Sequence, residues 1–398
     1  VRVRSLCLPS DEEWKRQLDL IGADACTWDR LSLKSSVLTL AVDPIPAPAA
    51  TILKQCMLSG GADAIVSRDT ITCSVPNTLV LIAGTPRQLI RAAESLRGQP
   101  FGLGDLAGDI LNAVHSPPAA SKTIHAGDRL LDFADAPLIM GILNLTPDSF
   151  SDGGVYNDIP SAVARALEMA QQGAQIIDIG AESTRPGSDP VPPDVQIERL
   201  MPVLLRLAEE KISSVISVDT SSAEVGRTVL EAGIGMINDV TALSDPGLAE
   251  AVAGAGVPVV LMHMAGVPRN MQDSPVYTDV MEDVYSFLES RIENAEAMGI
   301  SRERIIVDPG IGFGKRLEDN VRLIRRLSEF SWLGCRVLLG HSRKSFLGVL
   351  ADEDEPVQRD CLSHLVSGIV CGSADILRVH DVRGTVQTLK VARELKPC

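Results

Sequence analysis

Eight short aliphatic runs in this chain each end in a polar or ionisable side chain. The end-residues are Asn144, then Glu182, Asp219, the pair Asn238 and Asp239, His263, Asp308, the pair His341 and Ser342, and Arg378. Amides and carboxylates gathered at one mouth would suit a heterocycle with amino, ring N–H and carbonyl edges, because each supplies donors or acceptors in fixed directions. Cations beyond the last two runs would suit an anion such as a phosphate ester.

Five stretches carry this chemistry. Residues 144–154 supply amide, hydroxyl and carboxylate oxygens, which suit a hard cation such as Mg²⁺, and Gly153 and Gly154 would let the segment fold over a ligand. The alternative is a solvated turn. In residues 182–187, Arg185 follows Ser183 and Thr184 and precedes Pro186 and Gly187, a plausible clamp for phosphate or carboxylate. A surface arginine capping a loop is the other reading. Asp219, Asn238 and Asp308 each stand at a run's end, where they either line a pocket or cap the next helix. Residues 308–315 contain Gly310, Gly312 and Gly314 in a spacing that fits neither the dinucleotide fingerprint nor the P-loop. Close approach of backbone to a flat ligand is the expectation, with Phe313 as an apolar wall. Finally, His341, Arg343, Lys344, Arg378 and His380 place five basic side chains after the last two runs, the sector where barrels often hold phosphate.

These residues must be positioned by alternating elements. Eight runs, each followed by a helical pattern, predict an α/β chain whose main part is a parallel (β/α)8 TIM barrel. Helices are expected over 160–172, 194–210, 222–232, 246–253, 279–298, 318–330, 359–371 and 383–395. Before the barrel, strands are expected at 2–8, 37–42 and 79–83. Helices are expected after Ser10, over 48–59 (stopped by Gly60 and Gly61) and from Pro86. Pro117 and Pro118 mark a connector, so a boundary falls within 115–137. The expected division is a small α/β extension over 1–135, without clustered functional groups, and a catalytic barrel over 136–398.

Bulk properties narrow the function. The net charge of −15 and an aromatic content of 3% argue against nucleic-acid binding, which relies on basic surface and stacking platforms. Any phosphate must meet a local cationic cluster, with cation help. None of the eight cysteines forms a C-x-x-C pair, so reduced core thiols are expected. The first residues lack the apolar stretch of an export signal, and glycines and prolines interrupt the apolar segment 251–268. A cytoplasmic protein that binds neither membrane nor nucleic acid is the expectation.

Taken together, residues 144–154, 182–187, Asp219, 237–239, 261–264, 308–315, 342–345 and 378–382 resemble the pterin-binding family in its dihydropteroate synthase branch. They occur in the family's order over about residues 137–395. The resemblance implies condensation of 6-hydroxymethyl-7,8-dihydropterin pyrophosphate with p-aminobenzoate, giving 7,8-dihydropteroate and pyrophosphate. It implies that Asp219, Asn238, Met262, Asp308 and Lys344 hold the pterin, and that Arg378 and His380 bind the pyrophosphate with Mg²⁺ reached through Asn144. Thr184, Arg185, Phe313, Ser342 and Lys344 would form the aminobenzoate site, with Phe150 and Asp152 closing over it. Asp152, Arg185 and Lys344 are the implied catalytic residues, and a homodimer is the usual assembly. Ile311 and His341 depart from common family residues, which points to tuning of the aminobenzoate site. Corrinoid-dependent methyltransferases share the barrel but would leave the cations at 342–344 and 378–380 unexplained. A non-catalytic pterin binder would be expected to have lost an anion ligand, and a Schiff-base role for Lys344 has no carbonyl substrate.

Overall fold

In a computed structural model of the chain, the described residues are 6, 11–24, 26–115, 120–135, 137–145, 159–182, 190–266 and 275–395. They form two compact units that divide between Ala119 and Ala120.

The first unit begins with α1 (Asp11–Ile21) and α2 (Thr27–Leu31). Three acidic residues occupy the first turn of α1, where the helix dipole favours them. A three-stranded antiparallel sheet follows in the order β1 (Leu38–Pro46), β3 (Asn77–Gly84), β2 (Asp63–Ile65). Here β1 runs past the expected end at residue 42. Its register shifts between Val42 and Ile45, an irregularity an edge strand tolerates even with Pro44 and Pro46. Helices α3 (Ala47–Gly60), α4 (Pro86–Leu96) and α5 (Leu103–His115) complete the unit, and Leu53, Met57, Val80, Ile82, Leu89 and Leu96 form its core. Gly61 ends α3 in the left-handed conformation (φ 85°). The strand expected at 2–8 lies, apart from Leu6, outside the described residues.

The second unit opens with a hairpin, β4 (Thr123–Ala126) and β5 (Arg129–Asp132). Eight parallel strands then close into a barrel: β6 (Leu138–Asn144), β7 (Ile176–Gly180), β8 (Val215–Asp219), β9 (Met236–Asp239), β10 (Val259–Met262), β11 (Ile305–Asp308), β12 (Arg336–Leu339) and β13 (Ile376–Val379). The strands between them connect through α6 (Ile159–Gln172), α7 (Pro193–Glu209), α8 (Ala223–Glu231), α9 (Pro246–Ala255), α10 (Val280–Ala297), α11 (Leu317–Arg325), α12 (Ser345–Ala351) and α13 (Asp360–Ile369), and α14 (Val382–Leu395) follows the last. Two details differ from the sequence-based expectation. The helix expected over 318–330 is an α-helix only to Arg325 and continues as 3₁₀ turns over Leu327–Leu333, and the short α12 was not expected.

Side chains alternate along each strand, and that period sets the interior. Ile177, Ile179, Ile237, Leu261, Val307 and Leu377 face the helices as part of the main core. On the other face, Leu138, Met140, Ile176, Val215, Met236, Val260, Ile306, Leu338 and Ile376 form one apolar cluster together with Ile124, Ala126, Leu131 and Phe133. The hairpin thus closes the barrel floor. Residues 120–135, expected with the N-terminal extension, belong to the barrel unit for this reason. Arg336 stacks its guanidinium 4.5 Å from the Phe133 ring centroid and donates to the carbonyl of Ser121, fixing the plug. Among the described residues no helix is long and apolar enough to cross a membrane.

Phe133→Ala should therefore destabilise the barrel by about 3–5 kcal/mol, the usual cost of deleting a buried aromatic ring. A urea-unfolding midpoint equal to that of the parent chain would show that the hairpin is not part of the core.

Candidate active site

Two residues above the apolar floor, the inward face turns polar on five of the eight strands, while β6 keeps Ile142, β10 places Met262 and β12 places Gly340. Ile176 is followed by Asp178, Val215 by Ser217, Met236 by Asn238, Val260 by Met262, Ile306 by Asp308, Leu338 by Gly340 and Ile376 by Arg378. Strand register brings these positions side by side: Asp178 pairs with Ser217, Asp219 with Asn238, and Met262 with Asp308. A polar layer thus sits at the C-terminal mouth on an apolar base, where barrels carry their chemistry.

Two glycines make room in that layer. A Cβ on Gly340 would stand 3.7 Å from Asp308 Oδ2, 3.8 Å from Lys344 Nζ and 3.9 Å from Arg378 Cβ. A Cβ on Gly180 would stand 3.5 Å from Asn144 Oδ1 and 3.6 Å from Asp219 Cβ. Asp308, Lys344 and Arg378 therefore converge on one spot, and Asn144 and Asp219 on another.

Asp178 ties the layer together, and sequence reasoning passed over it. Its carboxylate is fully buried. Oδ1 accepts from Ser217 Oγ at 2.6 Å, while Oδ2 accepts from Asn238 Nδ2 at 2.9 Å and from Arg378 Nε at 2.7 Å. Arg378 also donates from Nη2 to Asp219 Oδ2 at 3.0 Å. The signal was present: an aspartate in the middle of an all-apolar strand run needs buried partners.

Electrostatics follow from this crowding. Burial pushes the Asp219 carboxyl up to about 7 against the pull of Arg378, with Asp178, Asp239 and Glu182 adding to the rise. Burial likewise raises Asp308, opposed by Lys344, by the Gly310 amide that donates to its Oδ1 at 2.7 Å, and by Lys315 and Arg378. Lys344 is brought down to about 8 by burial, against Asp308 and helped by Arg378. Burial works against the charge on Arg378, yet Asp178 and Asp219 hold its pKa above the usual value. None of Asp219, Asn238 and Asp308 caps a helix; Ser222 caps α8 instead, so the capping alternative fails.

The glycine-rich turn packs against protein. Gly310 adopts φ 67°, and a Cβ there would fall 1.9 Å from the His263 carbonyl oxygen, so only glycine fits. Gly312 lies over the stem of Lys344, whose Nζ donates to the Ile311 carbonyl and stands 4.5 Å from the Phe313 ring centroid. Phe313 is thus beside Lys344 as an apolar wall, and Ile311 is buried in the main core. Lys315 pins the turn from beneath, donating to the carbonyls of Gly310 (2.9 Å) and Phe313 (3.1 Å) and contacting His263 Nδ1 at 2.9 Å. Burial brings Lys315 down to about 7 and, with Lys315 beside it, His263 to about 3.

The five expected cations do not form one patch. His341 is fully buried and turns to α13, where its Nε2 lies 2.9 Å from the Ser363 carbonyl and 2.9 Å from Ser367 Oγ. It therefore exposes no surface at the barrel mouth. Arg343 makes two 2.7 Å bonds to Asp360 and holds φ 59°, which leaves Ser342 and Lys344 on either side of a fixed turn. His380 Nδ1 lies 3.0 Å from Ser342 Oγ, so those two residues do meet. Asp239 bonds back to the amides of Thr241 and Leu243 and serves its own loop. Glu182 accepts from the Val191 amide and from Gln196 Nε2. Phe150, Asp152, Thr184 and Arg185 lie outside the described residues. Among the described residues no three His, Cys, Asp or Glu side chains gather as a metal-binding set. Asn144 Oδ1 remains a hard oxygen at the mouth, enough for an ion that takes most ligands from phosphate and water.

Comparison with known proteins agrees with this geometry. A family model described as pterin binding enzyme matches residues 140–380. The dihydropteroate synthase of Escherichia coli is 44% identical over 257 residues, covering 64% of this chain and 90% of that protein. A probable bifunctional folylpolyglutamate synthase/dihydropteroate synthase of Haloferax volcanii is 38% identical over 355 residues, covering 86% of this chain. The chain spans only 41% of that archaeal protein's length. A solved structure of Xanthomonas albilineans dihydropteroate synthase with 4-aminobenzoic acid is 44% identical, with a TM-score of 0.65, covering 71% of this chain and all of that one.

Burial holds His341 neutral down to about pH 4, whereas the unfolded chain protonates it near 6.5. Its folded pKa is lowered, so the unfolded state gains protons first as pH falls, and stability drops between about 6.5 and 4. His341→Gln should remove up to about 3 kcal/mol of that loss. Denaturant unfolding at several pH values checks this, and an unchanged slope across the window would contradict it.

Proposed function

The chain belongs to the pterin-binding enzyme family, and we propose that it catalyses the dihydropteroate synthase reaction. In this transferase chemistry the exocyclic methylene of 6-hydroxymethyl-7,8-dihydropterin pyrophosphate passes to the amine of p-aminobenzoate, and pyrophosphate leaves. The convergence of Asp308, Lys344 and Arg378 around Gly340 carries this reading. It brings a carboxylate and a primary amine to one spot at the barrel mouth, with the Arg378 side chain starting there and its guanidinium tied to Asp178 and Asp219.

Each group has work suited to its chemistry. Asp219, Asn238 and Asp308 offer acceptors to the amino and ring N–H groups of the pterin, and Lys344 offers a donor to its carbonyl edge. Met262 supplies an apolar wall. Arg378 and His380 would face the diphosphate, and Ser342, 3.0 Å from His380 Nδ1, would stand between them and the aminobenzoate. Pre-placed positive charge there stabilises the departing pyrophosphate as its charge develops. Phe313 beside Lys344 fits the flat ring of aminobenzoate. For Asp152, Arg185, Thr184 and Phe150 the assignment rests on the family resemblance alone. The aniline nitrogen attacks as a neutral amine, so no strong base is required before the bond forms.

Asn144 Oδ1 would hold Mg²⁺ together with diphosphate oxygens, and when bound the ion neutralises leaving-group charge. A homodimer is supported by two exposed apolar pairs at helical spacing, Leu365 with Ile369 on α13 and Val391 with Leu395 on α14. Six free cysteines among the described residues, three of them exposed, support a reducing cytoplasmic setting.

A coupled pyrophosphate-release assay tests the proposal. Release should require both substrates and Mg²⁺, and Lys344→Ala should lower kcat/KM by about 100-fold through loss of a buried charged hydrogen bond. Release from the pterin ester that ignores aminobenzoate, or a Lys344→Ala variant as active as the parent, would contradict it.

A further inference from the structure

Asp178 exposes no surface, yet both of its oxygens are engaged by residues of the polar layer. We propose that Asp178 is the positioning residue of the pterin pocket, fixing which atom of the Asn238 amide faces the ligand and holding Arg378 in place beside Asp219. This rests on the proposed pterin chemistry and goes beyond it, because it assigns a cause to the pocket's donor–acceptor pattern.

A carboxylate paired with a guanidinium can only accept hydrogen bonds. Asn238 lies with its terminal amide 2.9 Å from Asp178 Oδ2, so the atom pointing there must be the donor Nδ2. The carbonyl Oδ1 is then turned the other way and, among the described residues, has no partner. Without Asp178 the amide could rotate by half a turn and present a donor to the same ligand edge. Arg378 is held at the same oxygen through Nε, and a second bond leads from Nη2 to Asp219 Oδ2. One buried carboxylate thereby orients two neighbours from different strands, β9 and β13. The remaining oxygen, Oδ1, faces Ser217 Oγ on β8 at 2.6 Å, which locks the carboxylate plane itself. Residues from three strands are thus aligned by a group on a fourth, and with them the acceptor array of Asn238, Asp219 and Asp308.

Positioning makes the effects of Asp178 and Asn238 interdependent, and a double-variant cycle reads this directly. The dissociation constant of a dihydropterin without the diphosphate is measured by calorimetry for the parent, Asp178→Ala, Asn238→Ala and the double variant. Steady-state KM is measured for both substrates. Asp178→Ala should weaken dihydropterin binding by about 10- to 100-fold and leave the KM for aminobenzoate within about two-fold of the parent. Asp178→Ala should cost clearly less binding in the Asn238→Ala background than in the parent, the remaining loss being the part carried through Arg378. Multiplicative losses, or equal losses for both substrates, would show that Asp178 acts only by supporting the fold.

If Asp178→Ala does not fold, Asp178→Asn decides the matter. Its amide keeps an acceptor toward Asn238 and Arg378 provided that Ser217 reverses its hydroxyl to receive the new N–H. Dihydropterin affinity should then survive within about five-fold in Asp178→Asn and in Ser217→Ala, and fall at least about ten-fold in the combined variant. Equal affinities in the combined variant and in Asp178→Asn would overturn the proposal. A parent protein that binds no dihydropterin would instead sink the proposed function, and with it this role.

Discussion

Charge inside a closed barrel is the governing constraint. A carboxylate moved from water to a protein interior costs several kcal/mol unless it is paired and hydrogen-bonded. This barrel buries Asp178 and Asp308 and half-buries Asp219 at its mouth. The layer persists because Arg378 bridges two of these groups, and because Lys344 and the Gly310 amide serve the third. That arrangement leaves acceptors unfilled among the described residues, Asn238 Oδ1 among them, and each is an opening for a ligand donor. A ligand with a matching edge replaces water at groups already held in place, so little reorganisation accompanies binding.

The apolar floor and the polar layer depend on each other through the two-residue period of the strands. A one-residue slip in β7 would send Asp178 toward the helices and Ile177 or Ile179 into the mouth. Closing the floor with a hairpin keeps water from the lower layer, and Phe133 under Arg336 seals it. The rigid turn at Gly310, pressed against the His263 carbonyl and pinned by Lys315, fixes Asp308 and the Phe313 wall from the side.

Much of this was legible in the sequence, since a polar residue closing an aliphatic run is a one-dimensional signal. The barrel and the strand ends at Asn144, Asp219, Asn238, Asp308 and Arg378 follow from it. Three matters did not, each for a physical reason. Asp178 lies inside its run, and only strand pairing reveals that Ser217, Asn238 and Arg378 surround it. His341 belongs to a basic motif, but alternation at the end of β12 turns it to α13. Residues 120–135 carry no barrel pattern, because a hairpin that plugs a floor contributes apolar contacts and no register signal.

The central claim is that the polar layer above the floor is the site of a flat, donor-bearing ring. Calorimetric titration of a dihydropterin into the parent and into Asp308→Asn tests it most directly. Binding to the parent should be saturable and at least about ten-fold tighter than binding to the variant, with thermal unfolding little changed. Equal binding to both proteins would contradict it.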